Sequence, residues 1–447
     1  MDVSKQKYTL SSHGSKTANL NNFCMTYAFL LSVAACLLES IGNSRLMLGI
    51  IVLYAPLLLK PETLLGPILF FSIFDDFLLV ASNASASRFI TLFLIFGAVL
   101  SILKRGSFKK ISLYFMLLIA LGVLLSFYSV QGYTSLPISY VLNIILAITI
   151  INFSLASTEN IQKQLYSHAI LALAFVYFLL WKNGFDSLVD GNRMTISEDV
   201  NSNQLAMGLA IVMTLLVSDL LLFKKHTLPN VLLIIANLVA LFLTGSRTAL
   251  IASVITSFFL YIINAQDKRT KRKAFFLLLF SVALLITIYN VLQKNFPLLM
   301  ERFTVDNVEE TGGSGRFDVW TTYFVNIFPK HWFIGMGFDP ANLYYAIGAL
   351  NAEAHGAHNL IVDTLARTGV VGLILYATGF IRFFVLTIKN ARINKDLLAP
   401  IGIVTSILIN GIGENVLTTR FLWFGIGLGY MFLYNTNKED KNPRREL

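Results

Sequence analysis

The chain has 447 residues, of which 55% are hydrophobic and only 13% are charged. A soluble domain carries about 25% charged residues, so this composition excludes a soluble protein. Cys24 and Cys36 lie in one apolar run, which excludes a secreted disulfide scaffold. The net charge of +10 does not indicate nucleic-acid binding, because the basic residues lie between long apolar runs. The sequence therefore predicts a polytopic membrane protein.

The apolar runs predict an all-α, polytopic transmembrane helical bundle of about 12–14 spans, because a bilayer core needs about 20 apolar residues per helix. The third span is predicted over 63–81, and the first helix is expected to stay uncleaved because no small-residue cleavage site follows it. In chain order we predict an N-terminal tail (1–22), a bundle of about 11 spans (23–292), one long extracytoplasmic loop (293–358), about three further spans (359–434) and a C-terminal tail (435–447).

The basic residues predict the orientation. With a cytoplasmic N-terminus and alternating spans, 24 of the 35 Lys and Arg residues fall inside and 11 outside. Every dense basic cluster is then inside, as the positive-inside rule requires. Both termini are therefore predicted to be cytoplasmic.

Ionisable residues within apolar spans cost about 2.5–3.5 kcal/mol each and indicate function. With this orientation they fall in the outer half of the membrane, and they are Glu39, Asp75, Asp76, Asp363, Arg367 and Glu414. This asymmetry predicts a polar cavity that opens outward, whereas a transporter would place such groups near the midplane. The long loop is rich in aromatic residues, which predicts a folded segment with a short amphipathic helix over 320–328.

Three short motifs carry candidate chemistry: 244–248 (TGSRT), 315–320 (GRFDVW), and 335–338 (GMGF) together with 358–359 (HN) and two downstream glycines. Arginines at an outer membrane face suit a bound anion, since a guanidinium grips phosphate oxygens in a bidentate fork. The alternative for Arg247 is contact with lipid headgroups. His358 can take a proton at neutral pH, or it is a plain polar residue at a helix start.

Asn359, Asp363 and Arg367 are spaced by four and share one helix face, so Asp363 can pair with Arg367, either at a site or as a purely structural pair. His355 and His358 have no convincing third and fourth ligands, so we predict no metal and no other cofactor. The chain also has no phosphate-binding loop and no cytoplasmic loop large enough for a nucleotide-sugar domain. The substrate of an enzyme of this kind would therefore arrive already activated on a lipid.

The ordered set TGSRTAL (244–250), GRxxxW (315–320), GxGF (335–338) and AHNL…GVVG (357–372) resembles the O-antigen ligase and O-antigen (capsular polysaccharide) polymerase superfamily over about residues 203–385. The resemblance implies a metal-independent, inverting glycosyltransferase of the GT-C type. Such an enzyme moves a glycan from undecaprenyl diphosphate to an acceptor hydroxyl at the outer face of the bacterial plasma (inner) membrane. By motif position, Arg247 and Arg316 correspond to diphosphate-binding arginines and His358 to the catalytic histidine.

The remaining candidates of the site are secondary: Arg367, Asp363, Asn359, Glu414 and Arg193. At Arg367 the chain departs from the family pattern, since many relatives carry an acidic residue two positions before the first glycine.

The partners implied are an undecaprenyl-diphosphate-linked oligosaccharide, a growing polysaccharide acceptor, membrane lipid, a chain-length regulator and a flippase, with no nucleic acid. The leading hypothesis is a polysaccharide polymerase for capsule or O-antigen repeat units. A ligase that transfers finished glycan to a lipid, wall or protein acceptor is the alternative, and a flippase or transporter of lipid-linked glycans is a third.

Overall fold

The residues that the structure describes are helical apart from one short β-hairpin, which confirms the predicted fold class. In the hairpin, strand β1 (Leu79–Ala81) pairs antiparallel with strand β2 (Ala84–Ser85). The computed structural model describes residues 3–39, 44–75, 77–81, 84–105, 109–132, 134–153, 158–183, 188, 193–194, 201–222, 227–265, 268–310, 315–348 and 357–439. Asp76 and His355, named among the sequence observations, lie outside these residues.

The helices of the N-terminal half precede and follow the hairpin. They are α1 (Val3–Glu39), α2 (Ser44–Leu53), α3 (Leu65–Ile73), α4 (Ala86–Arg105), α5 (Ile111–Ser126), α6 (Ile138–Ile151) and α7 (Thr158–Asn183). Helix α1 begins at Val3, so the predicted polar tail is helical and continuous with the first apolar segment. Two 3₁₀ segments, Ala55–Leu59 and Pro61–Leu64, connect α2 to α3.

The C-terminal half contains the long loop and its flanking helices. Before the loop lie α8 (Ser202–Leu222), α9 (Thr227–Leu243), α10 (Arg247–Asn264) and α11 (Lys268–Asn295). Within it lie α12 (Pro297–Met300), the 3₁₀ segment Glu301–Phe303, α13 (Val305–Glu310), α14 (Arg316–Thr322), the π-helix Tyr323–Ile327, α15 (Phe328–His331) and α16 (Pro340–Gly348). After it lie α17 (Leu360–Ala391), a 3₁₀ turn Lys395–Leu397, α18 (Leu398–Asn410) and α19 (Arg420–Glu439).

The apolar helices make the chain a multi-pass membrane protein. Five segments among the described residues are long and apolar enough to span a bilayer: Leu20–Glu39, Thr158–Lys182, Ser202–Leu222, Arg247–Asn264 and Leu360–Ala391. Shorter apolar segments accompany them: Leu46–Leu59, Pro61–Ile73, Ala86–Leu100, Ile111–Ser126, Ile138–Ile151 and Thr227–Leu243.

The prediction of one continuous span over 63–81 is wrong. Helix α3 ends at Ile73, and the chain then turns into the β-hairpin. The turn is fixed by Asp75, whose carboxylate accepts hydrogen bonds from Ser87 and Arg420 on other helices. Because a carboxylate withdrawn from water needs such hydrogen-bond partners, the apolar segment ends before Asp75.

The protein has two packed cores. The larger is the helical bundle, in which α8 is mostly buried and packs against α3, α7, α9, α10 and α18. The smaller core forms within the long loop and the first turns of α17, and it includes Val319, Tyr323, Met336, Ile347 and Val362. The predicted helix over 320–328 is present as part of the helical stretch from α14 to α15. The long loop is thus a folded unit on the bundle.

A break in α17 receives the loop. Gly369 has φ 60° and ψ −164° inside the helix, and a Cβ there would lie 2.1 Å from the Phe333 carbonyl oxygen. The freed backbone N–H groups of Val370 and Val371 donate to the carbonyls of Trp332 and Phe333 at 2.8 and 3.2 Å. Only glycine permits this approach without strain. Gly369, one of the two downstream glycines of the third sequence motif, is therefore the point at which the long loop packs into α17.

Candidate functional site

Four arginines from four parts of the chain converge at one end of the bundle: Arg193, Arg247, Arg302 and Arg316. The positive charges of Arg302, Arg316 and Arg247 all act on Arg193. Arg247 in turn lies within the influence of Arg302 and Arg316. We call these four side chains the arginine cluster. It unites the two arginines that the motifs singled out with Arg193, which was a secondary candidate, and Arg302, which was not a candidate.

The 244–248 turn assembles one side of the cluster. The Thr244 carbonyl accepts a hydrogen bond from Arg193 Nε at 2.7 Å. Gly245 has φ 63°, and a Cβ there would lie 3.3 Å from both Arg193 Cγ and Arg302 Cδ. Arg247 is then the first residue of α10. The free backbone N–H groups of a helix N-terminus attract anions, so the turn adds to the positive charge of the cluster.

Glu414 joins the cluster to the predicted catalytic histidine. Its Oε1 atom accepts hydrogen bonds from Arg316 Nη2 at 3.3 Å and from Asn203 Nδ2 at 2.6 Å. Asn203 Oδ1 in turn accepts from Arg193 Nη2. The other carboxylate oxygen, Oε2, lies 3.2 Å from His358 Nδ1. One carboxylate thus links the two arginines, one directly and one through an amide, to the imidazole.

The turn that carries Glu414 reaches the cluster because it contains glycine. A Cβ at Gly413 would lie 2.5 Å from Thr248 Cγ2 and 3.1 Å from Arg316 Nη1. Glycine lets the turn after α18 pack directly on the first turn of α10. The glutamate side chain is only 14% exposed as a result.

His358 is held in place by its neighbours on both sides. Trp320 Nε1 donates to the Ala357 carbonyl at 2.7 Å, and Asn359 caps α17 by accepting from the N–H groups of Ile361 and Val362. His358 itself adopts φ 43°, a left-handed conformation that is uncommon for a non-glycine residue and often found at functional sites. In the tautomer whose Nδ1–H donates to Glu414, Nε2 carries no hydrogen and is the atom that can accept a proton. Its side chain is 40% exposed.

The cluster carries more positive charge than its described partners neutralise. Burial, followed by the charge of Arg302, lowers the pKa of Arg193 to about 10. The pKa of Arg302 is also lowered, by burial and by Arg316. Arg302 Nε is buried and has no hydrogen-bond partner among the described residues. Against the four guanidinium groups, Glu414 is the carboxylate that the described contacts provide. This arrangement favours a bound anion with several oxygen atoms.

Asp363 and Arg367 lie apart from this cluster. Arg367 Nε donates to Asp363 at 2.7 Å, and its Nη1 donates to the Phe338 carbonyl at 2.8 Å. Both side chains are almost fully buried, at 5% and 6% exposure. The pairing predicted from their spacing is present, and its contacts are to the segment 335–338 of the long loop. The structure therefore brings together Arg247, Arg316, His358, Glu414 and Arg193, with Asn359 as the adjoining helix cap.

Sequence reasoning missed Arg302. It stands in a short 3₁₀ segment soon after α11, outside all three motifs. It is one of the 11 basic residues that the predicted orientation places on the outer side of the membrane. Because so few basic residues lie on that side, each of them could have been considered as a candidate for anion binding.

The metal prediction rested on the lack of clustered ligands. The described residues contain no group of three His, Cys, Asp or Glu side chains that could hold a metal ion.

A polar cavity of about 320 Å³ adjoins the cluster. Glu414 and Asn203 line it, as do Asp75 and Arg420. Asp75 and Glu414, two of the acidic residues from which a polar cavity was predicted, lie in its wall, and the predicted opening of the cavity to the outer side stays a prediction.

Comparison with known proteins agrees with the motifs. Residues 231–377 match the model of the O-antigen ligase family, so this stretch is an O-antigen ligase family domain and the resemblance seen in the sequence is confirmed there. The matched stretch contains Arg247, Arg302, Arg316 and His358, whereas Arg193, Asn203 and Glu414 lie outside it. No curated protein sequence matches the chain. For this stretch the match indicates a membrane enzyme of glycan transfer, of the ligase or polymerase type.

Proposed function

We propose that the protein is a polysaccharide polymerase that transfers an undecaprenyl-diphosphate-linked glycan to an acceptor sugar hydroxyl at the outer face of the bacterial plasma membrane. The observation that carries this proposal is the meeting of four arginines with His358 around one carboxylate, Glu414. The arginine cluster binds the diphosphate, and the imidazole faces the hydroxyl that attacks. Both termini then lie in the cytoplasm.

The cluster supplies the electrostatic part of catalysis. When the bond between the sugar C1 atom and the diphosphate oxygen breaks, its electron pair stays on the oxygen and negative charge develops on the leaving group. Guanidinium groups that are already fixed in position stabilise this charge more in the transition state than in the ground state. Arg247 and Arg302 lack carboxylate partners among the described residues, so their charge is available to the diphosphate. No metal ion is required in this scheme.

His358 supplies the proton transfer. The acceptor hydroxyl oxygen forms the new bond to C1 from the face opposite the leaving diphosphate, which inverts the configuration. Its proton passes to Nε2, while Nδ1–H stays hydrogen-bonded to Glu414 Oε2. The carboxylate fixes the tautomer and stabilises the imidazolium that forms, as in other carboxylate–histidine pairs. Atoms and charge balance with the released polyprenyl diphosphate.

A ligase that transfers finished glycan to a lipid, wall or protein acceptor is the second candidate, and the description of the matched family favours it. The two differ in the acceptor and share the diphosphate chemistry.

One experiment separates them. Purified protein in detergent is incubated with lipid-linked repeat units, with and without a second acceptor, and the products are resolved by size. A ladder of lengthening products supports the polymerase, and transfer only to the second acceptor supports the ligase. If no transfer occurs in detergent, and the protein reconstituted into vesicles instead moves lipid-linked glycan across the bilayer, both candidates are overturned and a transporter is favoured. The matched control is Arg382→Gln, which removes an exposed arginine of α17 outside the cluster and should leave the products unchanged.

A further inference from the structure

The polar cavity beside Glu414 is lined by residues in or next to α3, α4, α6, α8 and α19. Its volume of about 320 Å³ lies at the lower end of the range typical of small-molecule sites, about 300–1,000 Å³. The diphosphate chemistry proposed above does not use this space.

The lining of the cavity is rich in neutral hydrogen-bonding groups. It includes Ser139, Asn201, Asn203, Gln204, Asn415 and Thr418. Amides offer both donors and acceptors, and hydroxyl groups offer the same in one atom. A sugar ring presents hydroxyl groups in all directions, so it can satisfy such a wall. A lipid chain would leave these polar groups unpaired at a cost in free energy.

Two of these side chains are free to bind a ligand. The Gln204 carboxamide and the Thr418 hydroxyl make no hydrogen bond to another described side chain. The backbone carbonyl of Thr418 is fixed by Asn143 Nδ2 at 2.7 Å. The position of the Thr418 side chain is therefore set without its hydroxyl group being used.

Hydrogen bonds of Arg420 tie together several residues that line the cavity. Arg420 Nη1 donates to Ser72 and Asp75 at 3.2 Å each, and also to Ser87. Arg420 Nε is buried without a partner among the described residues. This ion pair braces α19 against α3 and α4, so the wall is formed before any ligand binds.

The cavity and the transfer site share a wall. Asn203 and Glu414 line the cavity, and the same two side chains hold Arg193, Arg316 and His358. A ring in the cavity would thus lie beside the imidazole and the cluster at once, which is where the sugars on either side of the reacting bond must be.

We propose that this cavity is a sugar-binding subsite that holds a hydroxylated ring of the glycan next to the bond being formed. The inference rests on the proposed function for its place in catalysis. The same chemistry fits the first sugar of the donor or the terminal sugar of the acceptor, and kinetics with each substrate varied separately distinguish them.

The test uses Gln204→Leu and Thr418→Val, which keep the side-chain size and remove the hydrogen bonds. The control is Thr378→Val, on an exposed hydroxyl of α17 that bonds only to its own helix. We expect each cavity variant to raise the KM of one substrate about threefold to tenfold, as loss of a neutral hydrogen bond does. We expect kcat to stay within about twofold, because binding of the ring is common to the ground and transition states. A raised KM for donor assigns the donor sugar, and a raised KM for acceptor assigns the acceptor sugar.

A binding measurement separates this inference from the proposed function. The oligosaccharide released by mild acid from the organism's own lipid-linked repeat unit carries no diphosphate, and its binding to the full-length protein is measured by equilibrium dialysis. Binding that is weakened in Gln204→Leu but retained in Arg247→Gln supports the subsite, even for a protein that transfers nothing. Unchanged binding and unchanged KM values in both cavity variants, with transfer intact, would overturn the subsite and leave the proposed function standing.

Discussion

The protein contains two kinds of buried or half-buried arginine, and they are balanced in opposite ways. Arg367 is almost fully buried, paired with Asp363 at 2.7 Å and hydrogen-bonded to the Phe338 carbonyl. The four arginines of the cluster share Glu414, and two of them, Arg247 and Arg302, have no carboxylate among the described residues. The first arrangement neutralises its own charge, whereas the second leaves positive charge that its described partners do not neutralise.

The difference distinguishes an arginine that holds the fold together from arginines whose charge is available to a ligand. A buried pair fastens the long loop to α17 and leaves no charge for a ligand. Burial of the cluster removes water from its charged groups and disfavours their charged form, as the lowered pKa of Arg193 shows. A base whose pKa falls on folding destabilises the folded protein while it is charged, so at neutral pH the cluster costs stability that a bound anion returns.

The largest effect is expected on stability at the paired arginine. Asp363→Ala leaves the buried Arg367 unpaired and should lower the free energy of unfolding by about 3–5 kcal/mol. Unfolding in mixed micelles measures this, and kcat per folded molecule should stay within a few-fold of wild type. The double variant Asp363→Leu with Arg367→Met should recover most of the stability. A variant that is stable but inactive would show that the pair belongs to the site.

The next effect is expected on catalysis at the cluster. If Arg247 stabilises the leaving diphosphate as proposed, Arg247→Gln should lower kcat by about 10²–10³-fold, or about 2.7–4 kcal/mol. The thermal midpoint in detergent should not fall, because no carboxylate loses its partner. Arg247→Lys should recover only part of the rate, since an ammonium cannot make the bidentate contact. Unchanged polymer length in Arg247→Gln would contradict the diphosphate role.

The sequence revealed the cluster only in part, for a physical reason. Short motifs with glycine mark places where backbones approach closely, and these motifs singled out Arg247, Arg316 and His358, which the structure brings together. Glu414 was visible as a carboxylate at a membrane depth where charge is costly. Arg302 has neither signal, because its role depends on the Gly245 turn packing against it from a distant helix. The short α3 was likewise unpredictable, since hydropathy cannot show that Asp75 is drawn out of a helix by Arg420 and Ser87.

A third effect is expected on stability when an anion binds the cluster. Inorganic diphosphate at about 100 times its dissociation constant should stabilise the wild-type protein by about 2.7 kcal/mol. The measurement is the thermal midpoint in detergent at constant ionic strength, with chloride as the control anion. The shift should be smaller in Arg247→Gln and unchanged in the stabilised pair variant Asp363→Leu with Arg367→Met. Equal shifts in all of these proteins would indicate general binding of anions to the surface.

The smallest effect is expected at Arg302. It is also the most direct test of the difference between the arginine cluster and the paired Arg367. If its charge serves the diphosphate, Arg302→Gln should lower kcat/KM for the lipid-linked donor by about tenfold, which is about 1.4 kcal/mol. The same variant should be at least as stable as wild type, because it removes a buried Nε without a partner and relieves repulsion from Arg316. Arg367→Gln, by contrast, should lower stability, since it leaves Asp363 without its cation. If loss of an arginine lowers the activity while the free energy of unfolding rises, that arginine serves a bound ligand and does not stabilise the fold. If Arg302→Gln instead loses stability and keeps its activity, Arg302 belongs with Arg367 among the structural arginines, and the diphosphate site is reduced to the three remaining side chains.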